Sequence, residues 1–358
     1  MISFLLRFIW SQLVFLSKVV RALFIFCCVL LFLGGYMVLR MPGNSYDGPL
    51  PPLTPQQANL EKELRYHVNM IAEQIGERHI HAYQNLMSAA DYITYELENY
   101  GYSVDRFPFT VHGKTLYNLV AEIPGKKYRD EILIIGTNYD SYPGSRGANE
   151  NGSGVAAVLS MAKYFSEAQI SRTLRFVFFP NSYPPFSQSP EMGSMKYARL
   201  CASEKENIVG MLHIASLGYY SNEENSQDFP IPLKWLYPRK ANFVMFSGNT
   251  SSIDLVKETV KYFRENARFP SEGITFPDTA SGIGIADQWA FWQHGYPALM
   301  ITDTSPYRYP YHHSPDDTPN HINFEAMSRV VSGLEQVVGE MVYVRKSKLR
   351  TLLKKYIN

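Results

Sequence analysis

The sequence predicts an α/β protein, a three-layer αβα domain built on a central mixed, mostly parallel sheet and preceded by one transmembrane helix. Three observations carry this expectation. Residues 22–39, ALFIFCCVLLFLGGYMVL, hold no charged side chain. From Thr54 onward helix-like and strand-like segments alternate, which favours a sheet covered by helices on both faces. The segment EILIIG at 131–136 is a short run, apolar after its first residue, of the kind buried in the middle of a parallel sheet.

Taken in order, the apolar run comes first. About 18 residues rising ~1.5 Å each come close to a hydrocarbon core of ~30 Å. Arg7, Lys18 and Arg21 precede it and only Arg40 follows before Lys62, so the charge bias places the N-terminus in the cytoplasm and the rest outside, in the periplasm if the cell is bacterial. Residues 1–21 are apolar but interrupted by Arg7, Gln12 and Lys18, as in a helix lying on the inner leaflet. Residues 40–56 carry Pro42, Gly43, Pro49, Pro51, Pro52 and Pro55, a composition expected to form an extended stalk that packs no core. The domain follows over 57–345. Thr54-Pro55 opens a helix with Leu60, Leu64, Val68 and Ile71 at helical spacing, and a second helix over 85–100 ends at Gly101. Strands are expected at 103–111, 117–123, 131–136, 174–179, 210–214 and 298–302, and further helices at 153–167, 252–266 and 324–344. The tail, 346–358, is basic, either a solvated helix end or a contact for anionic lipid or a partner.

The 34 basic and 33 acidic residues leave a formal net charge of +1, which gives no field for nucleic acid. Cys27 and Cys28 fall in the apolar run, so Cys201 stands alone in the domain and no internal disulfide framework is available. Without a Cys-x-x-Cys pair, a metal would have to be held by His and carboxylates.

In open α/β sheets the chemistry collects past the carboxyl ends of the strands. There the sequence reads Thr137-Asn138-Tyr139-Asp140-Ser141, then Gly147-Ala148-Asn149-Glu150-Asn151-Gly152-Ser153-Gly154 opening a helix. Further on come Pro180-Asn181-Ser182-Tyr183-Pro184-Pro185, Met192-Gly193-Ser194, Ile214-Ala215-Ser216-Leu217-Gly218, Asp287-Gln288-Trp289 and Tyr311-His312-His313-Ser314-Pro315-Asp316-Asp317. These segments, in this order, resemble the M28 family of zinc metallopeptidases of the aminopeptidase type. The resemblance implies a zinc-exopeptidase-like fold and, in active members, two zinc ions bridged by a carboxylate, with a glutamate taking a proton from bound water. Position by position, the metal site is degenerate. Asn138 stands where the family has its first His ligand, Glu150 at the bridging Asp, Ser182 at the general-base Glu, Tyr183 at the next ligand Glu and Ala215 at the acidic strand end. His313 is unchanged. Asp140, which would have oriented the missing His, and Asp287 are carboxylates behind the ligands. A serine cannot hold a proton taken from water, and a tyrosine titrates near ~10.

Two functional expectations follow from the resemblance and these departures. In the first, the membrane-anchored domain is a pseudopeptidase that holds no zinc and binds a peptide or protein N-terminus or acts as a scaffold. In the second it is an aminopeptidase or a glutaminyl-cyclase-like enzyme using one zinc. His213, two residues before Ala215 on the same strand, then joins Glu150 and His313, with Asp140 as a further candidate ligand, and Glu191 is the nearest spare base. Simpler readings stand beside these. His213 is a core histidine, Glu191 a solvated loop residue, His312 a surface neighbour, Ser153 a helix cap, and Trp289, Phe291 and Trp292 core beneath the site. Ser153 and Ser182 lack the Gly-x-Ser-x-Gly surround of a hydrolase nucleophile.

Overall fold

The computed structural model describes residues 40–277 and 286–343, with scattered positions before residue 40. Residues 22–39, apart from 24–26, and the tail 346–358 lie outside the described residues, and with them the expected membrane span and basic tail. Among the described residues no helix is long and apolar enough to cross a membrane.

Among the described residues the domain is organised on an eight-stranded sheet in the order β1-β2-β4-β3-β5-β8-β6-β7. The strands are β1 (Val104–Val111), β2 (Lys114–Ile123), β3 (Tyr128–Asn138), β4 (Arg172–Phe179), β5 (Asn207–Ile214), β6 (Val244–Asn249), β7 (Ser271–Phe276) and β8 (Ala298–Thr302). The pairs β3–β4, β3–β5, β5–β8 and β6–β7 are parallel, and β1–β2, β2–β4 and β6–β8 antiparallel. The sheet is therefore mixed, with a parallel centre. Strands β6 and β7 are additions to the sequence expectation. VMFSGN and SEGITF are short and each carries a glycine, so neither gives a strand signal until it pairs.

Helices α1 (Pro55–Asn69), α2 (Tyr83–Asn99), α3 (Gly154–Phe165), α5 (Ile253–Asn266) and α7 (Phe324–Val342) pack one face around a single apolar cluster that includes Leu64, Ala89, Val158, Phe263 and Val330. Helices α4 (Gly193–Ser203) and α6 (Gln288–Trp292) cover the other face with Tyr197, Cys201 and Phe291. The expected capping of α1 is present. Thr54 Oγ1 accepts from Gln57 N at 3.2 Å and the Gln57 side chain accepts from Thr54 N at 3.1 Å, closing a reciprocal box ahead of Pro55.

The expected stalk departs from expectation at its start. Met41 is buried in the main cluster, the Arg264 guanidinium donates to the carbonyls of Pro42 and Gly43, and Ser271 N donates to Ser45 Oγ at 2.9 Å. Proline content keeps this stretch extended, but extended chain can still lie along a sheet edge, and here the edge is β7.

Candidate active site

Strands β3, β5 and β8 run parallel, so Asn138, Ala215 and Asp303 emerge on one side of the sheet, with Pro180 following β4 beside them. The loop between β3 and α3 closes that side. Gly147 sits at φ 62°, a left-handed conformation costly for other residues, and a Cβ there would come within 2.8 Å of Ser141 Cβ. The wholly buried guanidinium of Arg78 grips the loop, donating to Gly147 O at 3.0 Å, Arg146 O at 2.6 Å and Tyr139 O at 2.8 Å. Asp317 receives the amides of Asn149 (2.7 Å) and Glu150 (3.1 Å) and the Tyr309 hydroxyl. The Asn149 side chain donates to Asp303 at 3.0 Å and accepts from Gly218 N at 2.8 Å. Ser153 does not cap α3. Its hydroxyl donates to Asn149 O at 2.7 Å and accepts from Leu217 N, tying the loop to the end of β5.

This framework aims Glu150 into a cavity of about 260 Å³. Burial, with Asp303 and Asp317 nearby, pushes the Glu150 carboxyl up to about 8, while the hydroxyls of Ser216 and Ser305 pull the other way. The His312 Nδ1 lies 3.7 Å from Glu150 Oε2 and 3.0 Å from Ser305 Oγ, so His312 belongs to the cavity wall rather than to the surface. His313 stacks on Tyr142 with ring centres 4.0 Å apart and meets the Tyr183 ring edge-on at 5.5 Å. Burial and the neighbouring His312 bring His313 down to about 4. The Tyr183 hydroxyl faces Glu150 Oε1 at 3.5 Å, and burial followed by Glu150 holds it well above its ordinary value.

The other replaced positions are engaged internally. Asn138 Nδ2 donates to Asp140 Oδ1 at 3.1 Å, and its Oδ1 accepts from Asn151 at 2.9 Å. Asp140 also accepts from Ser182 N at 2.8 Å and is raised by burial to about 6. The Ser182 hydroxyl lies 2.9 and 3.0 Å from the two oxygens of Asp287. Burial, with Asp140 adding to it, lifts Asp287 to about 7. His213 is fully buried, and neither ring nitrogen has a hydrogen-bond partner among the described residues. Its nearest carboxylate is Asp287, at 3.8 Å, and burial drops the imidazole to about 3. His213 and Ala215 both line the cavity, as their two-residue spacing requires. Glu191 does not line it, and its amide is bonded to Ser189 Oγ. Phe291 is core, as expected, while Trp292 is part-buried and donates to Ala298 O.

The remaining wall is apolar. Phe229, Leu233, Met245, Ile274, Met300 and Tyr307 line it beyond the carboxylate. Sequence reasoning missed this half, and also missed Arg78, Asp303 and the site role of Asp317. The signal for Asp303 was present, since it directly follows the strand ALMIT.

A model of peptidase family M28 matches residues 118–338, more than half of the chain. The chain belongs to peptidase family M28. It is 30% identical over 295 residues to the uncharacterized protein YfbL of Escherichia coli (strain K12), covering 79% of this chain and 88% of that one. It is also 32% identical over 183 residues to leupeptin-inactivating enzyme 1 of Streptomyces exfoliatus, covering 50% of this chain and 40% of the relative. Among solved structures, the fold is similar to the zinc aminopeptidase BSAP of Bacillus subtilis, with a TM-score of 0.63 at 16% identity over 80% of this chain and 96% of that one. It is similar as well to a glutaminyl cyclase of Bacteroides thetaiotaomicron, with a TM-score of 0.60 at 15% identity over 80% and 98%.

The M28 zinc pair can be tested against the residues in place. Its four positive charges need several anionic and imidazole donors, whereas the matched positions supply Glu150 and His313 beside an amide, a hydroxyl, a phenol and a methyl group. Among the described residues no three His, Cys, Asp or Glu side chains are grouped as a metal would require. His213 faces Asp287 rather than completing a set with Glu150 and His313. The donor set does not fit a two-zinc centre.

Proposed function

We propose that this M28 domain is a membrane-anchored receptor for the N-terminal residue of a peptide, which it holds without hydrolysing. One observation supports this above the rest. Where a general base must take a proton from water stands Ser182, its hydroxyl committed to Asp287. A serine so placed has no basic group to offer.

The cavity retains features suited to binding. A free α-ammonium set against Glu150 would meet a carboxylate already short of cationic partners, with the Tyr183 hydroxyl oxygen 3.5 Å from it. The apolar wall from Phe229 to Met300 suits an aliphatic or aromatic first side chain. Because a bound cation favours the ionised carboxylate, loading at neutral pH releases a proton from Glu150. The uncharged run at 22–39 and the basic residues before it support anchoring with the domain outside the cytoplasm.

The test uses the full chain in detergent. It is dialysed against zinc, its metal content is measured, leucine p-nitroanilide hydrolysis is assayed, and leucinamide binding is followed by calorimetry. The expected result is less than one zinc per chain, no turnover above that of Glu150→Ala, and leucinamide binding that Glu150→Ala abolishes. Two zinc ions per chain with turnover lost in Glu150→Ala would overturn the proposal. A single zinc with the same dependence would establish the one-metal enzyme instead.

A further inference from the structure

Large apolar side chains are exposed in a concentrated way at one place in the domain. Trp235 is 74% exposed, Ile231 64% and Leu236 55%, all within six residues of the segment that joins β5 to β6. Elsewhere in the described domain, large apolar side chains exposed to this degree are isolated tyrosines such as Tyr66, Tyr95 and Tyr164. A tyrosine carries its own polar tip, whereas isoleucine and leucine have none, so it is this cluster that calls for a partner.

The segment is built to hold these groups outward. Phe229, Leu233 and Tyr237 point in and pack with Phe243, Met245, Ile274 and Phe276 on β6 and β7. A single turn at Leu233–Trp235, fixed by Trp235 N donating to Pro232 O and Leu236 N to Leu233 O, turns Trp235 and Leu236 away from that cluster. Pro230, Pro232 and Pro238 further restrict the backbone, so the exposed groups are presented on a rigid support. Its charges balance. Glu223, Glu224 and Asp228 stand against Lys234, Arg239 and Lys240, with Lys234 paired to Asp228 and Lys240 to Glu224.

A second, independent observation says what lies opposite. The Tyr237 hydroxyl donates to Gly273 O on β7 at 2.9 Å. The same Gly273 is covered by Met41, whose Cγ would lie 2.8 Å from a Cβ built there. Met41 therefore packs on β7, the strand to which the exposed loop is tied through Tyr237, and Pro42, Gly43 and Ser45 fasten it along Arg264 and Ser271. Only Arg40 separates Met41 from the end of the uncharged run at residue 39, a covalent reach of about 7 Å.

We propose that the 229–237 loop is a bilayer contact: Trp235, Ile231 and Leu236 enter the membrane interface beside the point where the chain leaves it. The inference rests on the anchoring half of the function proposed above, since with a span ending at residue 39 the covalent chain leaves Met41, which packs on β7, two residues from that span. Tryptophan is suited to the headgroup boundary, and a loop whose one charge, Lys234, is paired with Asp228 inserts through its apolar side chains rather than by attraction to anionic lipid. Phe229 and Leu233 of the same loop line the ligand cavity, so bilayer contact sets one wall of the pocket at the membrane face.

The experiment reconstitutes the full chain in phosphatidylcholine vesicles with and without lipids brominated on their acyl chains. Emission is compared between the natural chain and Trp235→Phe, whose difference isolates Trp235 from Trp10, Trp289 and Trp292. At so exposed a position the variant retains the fold, checked by circular dichroism. The expected result is that the difference emission is lost in brominated vesicles and survives aqueous iodide. If the chain floats with vesicles while the difference emission is quenched by iodide and indifferent to bromine, the loop faces water or another protein, and the inference is overturned with anchoring intact. A chain that does not float with vesicles ends both.

Discussion

The floor of the cavity and its liganding face have taken different courses on the same scaffold. On the floor, Arg78, Asn149, Ser153, Asp303 and Asp317 are buried and bonded through their side chains to backbone groups of the surrounding loops. On the face are Asn138, Ser182, Tyr183 and Ala215, the positions that the sequence resemblance matches to the family's metal ligands and base. The floor does structural work whether or not a metal is bound, because each buried group left without its partner costs about 1–3 kcal/mol. The face did its work toward metal and substrate. In this chain Asn138 bonds Asp140 and Asn151, and Ser182 bonds Asp287, so these side chains satisfy one another without a metal.

If that contrast is right, the floor should be the costly place to mutate. Arg78→Met removes a cation that serves the carbonyls of Ile71, Gly76, Tyr139, Arg146 and Gly147 together. Several of these lie where water cannot replace it, so the loss should reach about 3 kcal/mol or more in urea unfolding. The loop that carries Glu150 should loosen with it, and leucinamide binding should fall in parallel. A loss under about 1 kcal/mol would mean that Asp317 alone holds the loop.

The next contrast is electrostatic and concerns the one carboxylate the face retains. In the folded chain Glu150 keeps its proton to about pH 8, whereas an unfolded glutamate releases it near 4.5. Between those values the folded state binds more protons than the unfolded one, so this group makes stability fall as pH rises through the window. The effect is at most about 1.4 kcal/mol per pH unit for one group. Glu150→Gln should flatten the decline in unfolding midpoint between pH 5 and 8, and leucinamide should flatten it in the natural chain by favouring the ionised carboxylate. Equal slopes in Glu150→Gln and the natural chain would assign the decline to Asp287, Asp140 or Glu335, which share its sign.

What was legible in the sequence follows the same division. The face could be read because its positions sit at fixed offsets from strand ends. Asn138 closes β3, Ala215 follows β5, and the paired spacing of His213 and Ala215 put both on the cavity wall. The floor could not, because what makes Arg78 or Asp303 important is a partner far along the chain. Arg78 meets Gly147 across 69 positions and Asp303 meets Asn149 across 154. The apolar wall was hidden for a related reason: Phe229 and Leu233 belong to an irregular segment whose period matches no helix or strand, and Met245 and Ile274 lie on the two strands that went unread. His312 read as a surface neighbour because the resemblance matches His313, not His312, to the family's ligand. Here the two rings stack 3.7 Å apart and both turn inward.

The smallest effect should come from Ser182. Ser182→Ala removes one hydroxyl from a serine whose amide stays bonded to Asp140 and whose Cβ keeps its place. Asp287 loses the lesser of the two hydroxyls, Ser194 and Ser182, that hold its carboxyl down, so its proton is retained to higher pH and the buried charge is avoided rather than stranded. The cost should be about 1 kcal/mol at pH 7, smaller below pH 6 where Asp287 is already protonated, with leucinamide affinity unchanged. In a hydrolase that used this hydroxyl as a nucleophile the same change would abolish turnover and leave stability alone. A small, pH-dependent stability loss at constant affinity is the pattern of a residue retained for its bond to Asp287, and turnover that disappears in Ser182→Ala would return this face to catalysis.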